Sequence, residues 1–247
     1  MTPVRPTLFA GDRGPAVKAL QLCLRRALGS HAVNNLKGDY GTLTIKDVAR
    51  WEAGQQKKGH NILVSGRSFG PKGWELMEKH IKALPEAQRL LAKQAILDAA
   101  QAAQDTADAL RREIVAAAWS AYERRMGIAY SQYRPMPKSL GAARAMDCST
   151  FTTLAYKDAG APDPNGRGYD GYGFTGTLWV RGTSVSVADA NKADMVFYGY
   201  HPSIPGAPGH VALYVGNGRV LSLGSYPMRY LPVYYRSDVR GVKSYLA

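Results

Sequence analysis

Asp147-Cys148-Ser149-Thr150-Phe151 and Pro208-Gly209-His210-Val211-Ala212 carry the residue types that support nucleophilic chemistry in this chain. A thiol reacts as its thiolate, and a nearby imidazole can take its proton and later return it to a leaving group. Cys148 stands where a helix is expected to begin. Helix N-terminal N–H groups and the macrodipole favour a thiolate there, and the same N–H groups can hold an oxyanion. His210 stands at the start of an expected strand, beside a glycine that leaves room for substrate. The chain has two cysteines and five histidines. Cys23 lies in an apolar helical stretch and reads as core. His31, His60, His80 and His201 read as structural or solvent-facing. No HExxH and no zinc-type spacing occurs, so no metal and no organic cofactor are expected.

The elements around these residues divide the chain into three sections. In the first, residues 1–82, Val17, Leu20, Leu24 and Leu28 recur at helical spacing between Pro15 and Gly29. A second helix is expected from about Thr44 to Lys57, and a third around Trp74, Leu76, Met77 and Ile81. Residues 83–112 are rich in Ala, Leu, Gln and Arg and read as a helical linker, either one long helix reaching to Gly127 or two shorter ones in a hairpin. Asp98–Ala109 holds only Ala, Gln, Asp and Thr, so it has little to bury. In the third, residues 113–247, strands are expected at 195–198, 211–215, 219–222 and 231–235, with a helix running from Cys148 to before Gly160. The class is α+β: a helix packed on an antiparallel sheet.

Gly216-Asn217-Gly218 marks a hairpin. Its length decides where Ser222 points. A three-residue loop pairs Ala212 with Ser222 and sets Ser222 on the His210 face; a two-residue loop pairs Leu213 with Ser222 and turns it away.

The charge is +13, with 14 Lys+Arg against 6 Asp+Glu in residues 1–82. That implies an anionic partner. No basic run interleaved with aromatics points to nucleic acid, and no apolar stretch is long enough to span a membrane. The N-terminus lacks the pattern of a secretory signal, so synthesis in a cytoplasm without export by that route is expected.

Gly11-Asp12-Arg13-Gly14, Val17, Leu20-Gln21 and Leu24, followed by Gly38-Asp39-Tyr40-Gly41 and Trp74-Glu75-Leu76, resemble a small three-helix peptidoglycan-binding domain. The motif around Cys148, Asp194-Met195-Val196-Phe197-Tyr198 and the stretch from Gly209 to Gly218 resemble the NlpC/P60 cell-wall peptidases, a papain-like fold. Residues 159–178 resemble more narrowly the endolysins of actinobacterial phages. The resemblance implies Cys148 as nucleophile, His210 as base and Ser222 at the third position, where the family usually has His, Asn or Gln. A backbone carbonyl or a water are the alternatives for that third role. Tyr130 matches loosely a tyrosine near the nucleophile and otherwise reads as a packing aromatic; Asp147, a helix cap, and Ser149 are supporting residues. It further implies an endolysin that leaves the host cytoplasm at lysis, binds peptidoglycan and anionic wall polymers, and cuts the γ-D-glutamyl–diaminopimelate bond. A muramoyl–L-alanine amidase, a cross-bridge peptidase and a non-catalytic wall binder are the alternatives.

Overall fold

The computed structural model describes residues 5–29, 36–62 and 64–246; His31 lies outside them. The chain divides between Asp105 and Thr106 into two compact units.

In the first unit, β1 (Leu8–Phe9) leads into α1 (Pro15–Leu28) and α2 (Thr42–Gln56). Then β2 (Ser68–Phe69) pairs antiparallel with β1 and leads into α3 (Pro71–Lys82). Pro15 and Pro71 open their helices, where a missing N–H costs nothing. The expected first helix coincides with α1, and the third, expected around Trp74 to Ile81, begins at Pro71. Val17, Leu20 and Leu24 meet Val48, Trp51, Trp74 and Met77 in one core. Trp74 donates its indole N–H to the Pro6 carbonyl, and Phe69 packs edge-on against its ring.

A single helix, α4 (Glu86–Glu123), follows. Its Ala92 and Ile96 belong to the core of the first unit. Its Ala107, Ile114, Ala118 and Ala121 belong to the core of the second. Between them residues 101–106 are exposed, in keeping with their small and polar side chains.

The second unit continues with β3 (Ala129–Tyr130), β4 (Ala145–Met146), α5 (Cys148–Asp158), α6 (Thr175–Trp179) and β5 (Thr183–Val185). The remaining strands are β6 (Met195–Tyr198), β7 (His210–Gly216), β8 (Arg219–Ser222), β9 (Arg229–Pro232) and β10 (Val239–Ser244). They form a six-stranded antiparallel sheet in the order β5-β10-β6-β7-β8-β9. On one face Met195, Phe197, Val211, Leu213 and Leu221 pack against Phe151, Leu154 and Ala155 of α5 and Ile114 of α4. On the other, Val196, Tyr198, Ala212 and Val220 form a smaller cluster with Val233 and Val242.

Two sequence expectations are corrected here. The last expected strand, 231–235, stops at Pro232, whose ring removes a ladder donor; a 3-10 turn over Val233–Tyr235 replaces it. The β7–β8 hairpin takes neither loop alone. Gly216 pairs with Arg219 across a two-residue Asn217-Gly218 turn, both residues at positive φ. Val215 then bulges, and beyond it Tyr214 pairs with Val220 and Leu213 with Leu221. The bulge restores the register of the longer loop, so Ser222 shares a face with His210.

Candidate active site

β3 and β4 pair in parallel, Tyr130 against Met146, and deliver the chain to Asp147 beside Tyr130. Asp147 caps α5. Its Oδ1 accepts the Thr150 N–H at 2.7 Å and the Ser149 hydroxyl at 3.0 Å. Its Oδ2 accepts from Arg134 at 2.9 Å, and Arg134 also donates to Ser149 Oγ at 3.0 Å and to the Gly173 carbonyl at 3.1 Å. These bonds fix the first turn of α5, and Cys148 is its first residue.

The Cys148 side chain is 5% exposed. Its sulfur is approached by the backbone N–H groups of Ser149 and Val211. The Val211 donor belongs to the peptide that joins it to His210, so Cys148 meets β7 beside the residue that carries the imidazole. His210 is also 5% exposed. Its Nε2 lies 2.9 Å from Ser222 Oγ, and Ser222 Oγ lies 3.1 Å from the Tyr235 hydroxyl. The Tyr198 ring sits 5.8 Å from the imidazole and 5.2 Å from the Tyr235 ring. Gly224 closes the site: a Cβ there would stand 3.2 Å from His210 Cε1.

With Nε2 engaged by Ser222, Nδ1 is the ring nitrogen left for proton exchange. If Ser222 accepts the Nε2 proton and donates its own to Tyr235, every hydroxyl in the chain His210, Ser222, Tyr235 has a partner.

The electrostatics differ from the sequence expectation of a helix-stabilised thiolate. Burial, and then the Asp147 carboxylate, push the Cys148 thiol up to about 12; the N–H groups of Val211 and Ser149 and the Arg134 charge only partly offset this. Burial, and then Arg236, push His210 down to about 4, against the opposing pull of Asp238 and Asp147. The resting pair is a neutral thiol and a neutral imidazole. Burial first, then Cys148 and Asp147, raise the Tyr130 phenol.

The structure thus brings Cys148, His210, Ser222, Tyr130, Asp147 and Ser149 into one region. Arg134, Tyr235 and Gly224 complete it and had no signal in the sequence. Arg134 precedes a proline in a loop, Tyr235 reads as a strand aromatic, and Gly224 acts only through the space it leaves. Among the described residues no group of His, Cys, Asp and Glu is arranged to hold a metal ion.

Residues 136–233 match the model of the NlpC/P60 family. Peptidoglycan endopeptidase RipB of Mycobacterium tuberculosis is 35% identical over 75 residues, 30% of this chain and 26% of that protein. Peptidoglycan DL-endopeptidase CwlO of Bacillus licheniformis is 35% identical over 80 residues, 32% of this chain and 15% of that protein. The chain therefore spans about a quarter or less of the length of these relatives. Among solved structures, the NlpC/p60 domain of peptidoglycan hydrolase SagA aligns with a TM-score of 0.39 and 23% identity, over 53% of this chain and 97% of that one.

Proposed function

We propose that this chain is a peptidoglycan hydrolase of the endolysin type, in which Cys148 and His210 of the second unit cut an amide of the peptide stem and the first unit holds the wall. The NlpC/P60 match over residues 136–233 and the peptidoglycan endopeptidases among its relatives support the substrate class. The observation that carries the chemistry is the position of Cys148 at the start of α5, in one buried cluster with Val211, next in sequence to His210, whose Nε2 lies 2.9 Å from Ser222 Oγ.

In the proposed reaction His210 Nδ1 takes the thiol proton as sulfur attacks the amide carbon. The Val211 and Ser149 N–H groups stabilise the negative sulfur as it forms. The tetrahedral intermediate collapses to a thioester, and the imidazolium gives its proton to the departing amine. Water, relieved of a proton by His210, then attacks the thioester, releases the carboxylate product and returns the thiol. Tyr130 lines the approach, while the buried Asp147 caps the helix and Ser149 supports that cap. Neither a metal nor an organic cofactor enters this scheme. The bond we assign is γ-D-glutamyl–diaminopimelate, on the resemblance set out above. The enzyme meets its substrate after release from the host cytoplasm at lysis.

Digestion of purified sacculi, followed by mass spectrometry of the soluble fragments, tests this. Wild type is expected to release fragments ending in γ-D-glutamate, and Cys148→Ala to release none. Equal release by both would overturn the role of Cys148; fragments ending elsewhere would move the bond. Burial of a neutral pair favours a second reading, a wall binder with a silent site. Failure of the wild type to release any fragment while still sedimenting with sacculi would establish it.

A further inference from the structure

The first unit carries cations that neither its fold nor the proposed chemistry uses. The Gly14 N–H donates to the Gly38 carbonyl, the Tyr40 N–H to the Asp12 carbonyl and the Ala10 N–H to the Arg67 carbonyl, each at 2.8 Å, so the starts of α1, α2 and α3 gather at the β1–β2 ribbon and their ends lie away from it. Their last turns carry Arg25 and Arg26 on α1 and Lys79, His80 and Lys82 on α3. Lys57 and Lys58 stand just past α2. The charges of Lys79, Lys58 and Arg26 all reach the His80 imidazole and, with burial, disfavour its protonated form. The ends of three helices therefore meet.

Arg25, Arg26, Lys57, Lys58, Lys79 and Lys82 are all exposed, and no ion pair engages them among the described residues. The nearby Glu78 is bound by Arg5 at 2.8 Å. A helix macrodipole welcomes a cation at each C-terminus. It does not account for gathering three such ends, where the cations repel one another. A polyanion laid across that end would relieve the repulsion at several points at once.

We propose that the end of the first unit where α1, α2 and α3 finish is a docking surface for a phosphodiester-linked wall polymer, gripped by Arg26, Lys58 and Lys79. The choice of a wall polymer over another polyanion rests on the wall-hydrolase reading above. The cations come from three separate elements, so a flexible chain of phosphates can follow them. Among the described residues of this unit the one exposed aromatic is Phe9, on β1, so the aromatic platforms that single-stranded nucleic acid uses are not gathered there.

The test uses the full chain and poly(glycerol phosphate) of defined length as probe, with affinity followed against salt. Wild type is expected to bind, with log K falling linearly with log salt. Arg26→Gln/Lys58→Gln/Lys79→Gln should lose at least tenfold in affinity, and its salt slope should shrink by about 2, near 0.7 for each phosphate contact removed. Lys46→Gln/Arg50→Gln/Arg67→Gln removes the same charge elsewhere on the unit and should bind as wild type. Equal losses in both variants would reduce the effect to net charge and overturn the site. So would no binding by the wild type, or tighter binding of duplex DNA through the same residues. Cleavage of walls stripped of phosphodiester polymers is scored separately. If stripped walls are cut, the hydrolase reading stands whatever the docking result; if wild type cuts no walls at all, that reading is what has failed.

Discussion

Ser222 holds one imidazole nitrogen with a short side chain, and its hydroxyl then needs a partner of its own. Tyr235, 3.1 Å away, supplies it. In the proposed reaction Ser222 and Tyr235 position the imidazole, so their loss should appear in turnover more than in substrate affinity. Removing one partner of a buried hydrogen bond costs about 1–3 kcal/mol. Ser222→Ala is accordingly expected to lower kcat about 10- to 100-fold with KM little changed, and Tyr235→Phe to do less because Ser222 remains. An unchanged kcat in Ser222→Ala would remove Ser222 from the site. His210 gives a pH prediction. Unfolded, it binds a proton near 6.5; folded, only near 4. Between those values the unfolded chain holds more protons, so stability falls as the pH drops, by about 3 kcal/mol over the whole window. Denaturant unfolding at pH 7 and pH 4.5 should show His210→Gln losing less stability than wild type over that interval. The sequence shows the types and order of Cys148, His210 and Ser222. It hides Arg134, Tyr235 and Gly224, whose parts depend on distance across the fold.

The elements that carry the pair follow from local rules. Apolar spacing marks α1 and α5, and β-branched runs mark β6, β7 and β8. β5 is short and largely exposed, and β10 carries Gly241 at positive φ, so neither has the alternation that betrays a half-buried strand. The Asn217-Gly218 turn is legible, but the bulge at Val215 is not, because it depends on how β7 and β8 settle against α5 and the opposite cluster. Gly218 offers a clean test: a Cβ there meets nothing within 4 Å, and φ is +67°. Gly218→Ala should cost about 1–2 kcal/mol from backbone conformation alone, read by thermal or denaturant unfolding. A second prediction concerns α4. Arg111 donates to Asp194 Oδ1 and the Lys192 carbonyl, both at 2.8 Å, and to Ser244 Oγ and the Leu246 carbonyl. Arg111→Ala leaves the Asp194 carboxylate buried without its cation. The expected loss is about 3–5 kcal/mol, whereas an exposed pair such as Lys72–Glu75 should contribute under about 1 kcal/mol.

At the scale of the whole molecule, the chain has two cores that share one helix in sequence but no buried residue. Calorimetry is expected to resolve two transitions, and Arg111→Ala should lower only that of the second unit. One transition displaced as a whole would show that the cores melt together. Composition announces the division: the cations crowd into residues 1–82, while every tyrosine but Tyr40 stands in residues 113–247. Where one core stops and the other begins is less legible, because α4 is helical throughout and only its burial changes, at Gln101–Thr106.

The bulge at Val215 has a genetic corollary. The face on which Ser222 emerges is a matter of parity, set by the number of residues between it and the turn. One codon gained or lost between Gly218 and Ser222 would send that hydroxyl to the far side of the sheet while leaving every reactive side chain in the gene. The side of the sheet that hydroxyl occupies can therefore be switched by length alone, and a compensating codon elsewhere in the same strand can switch it back.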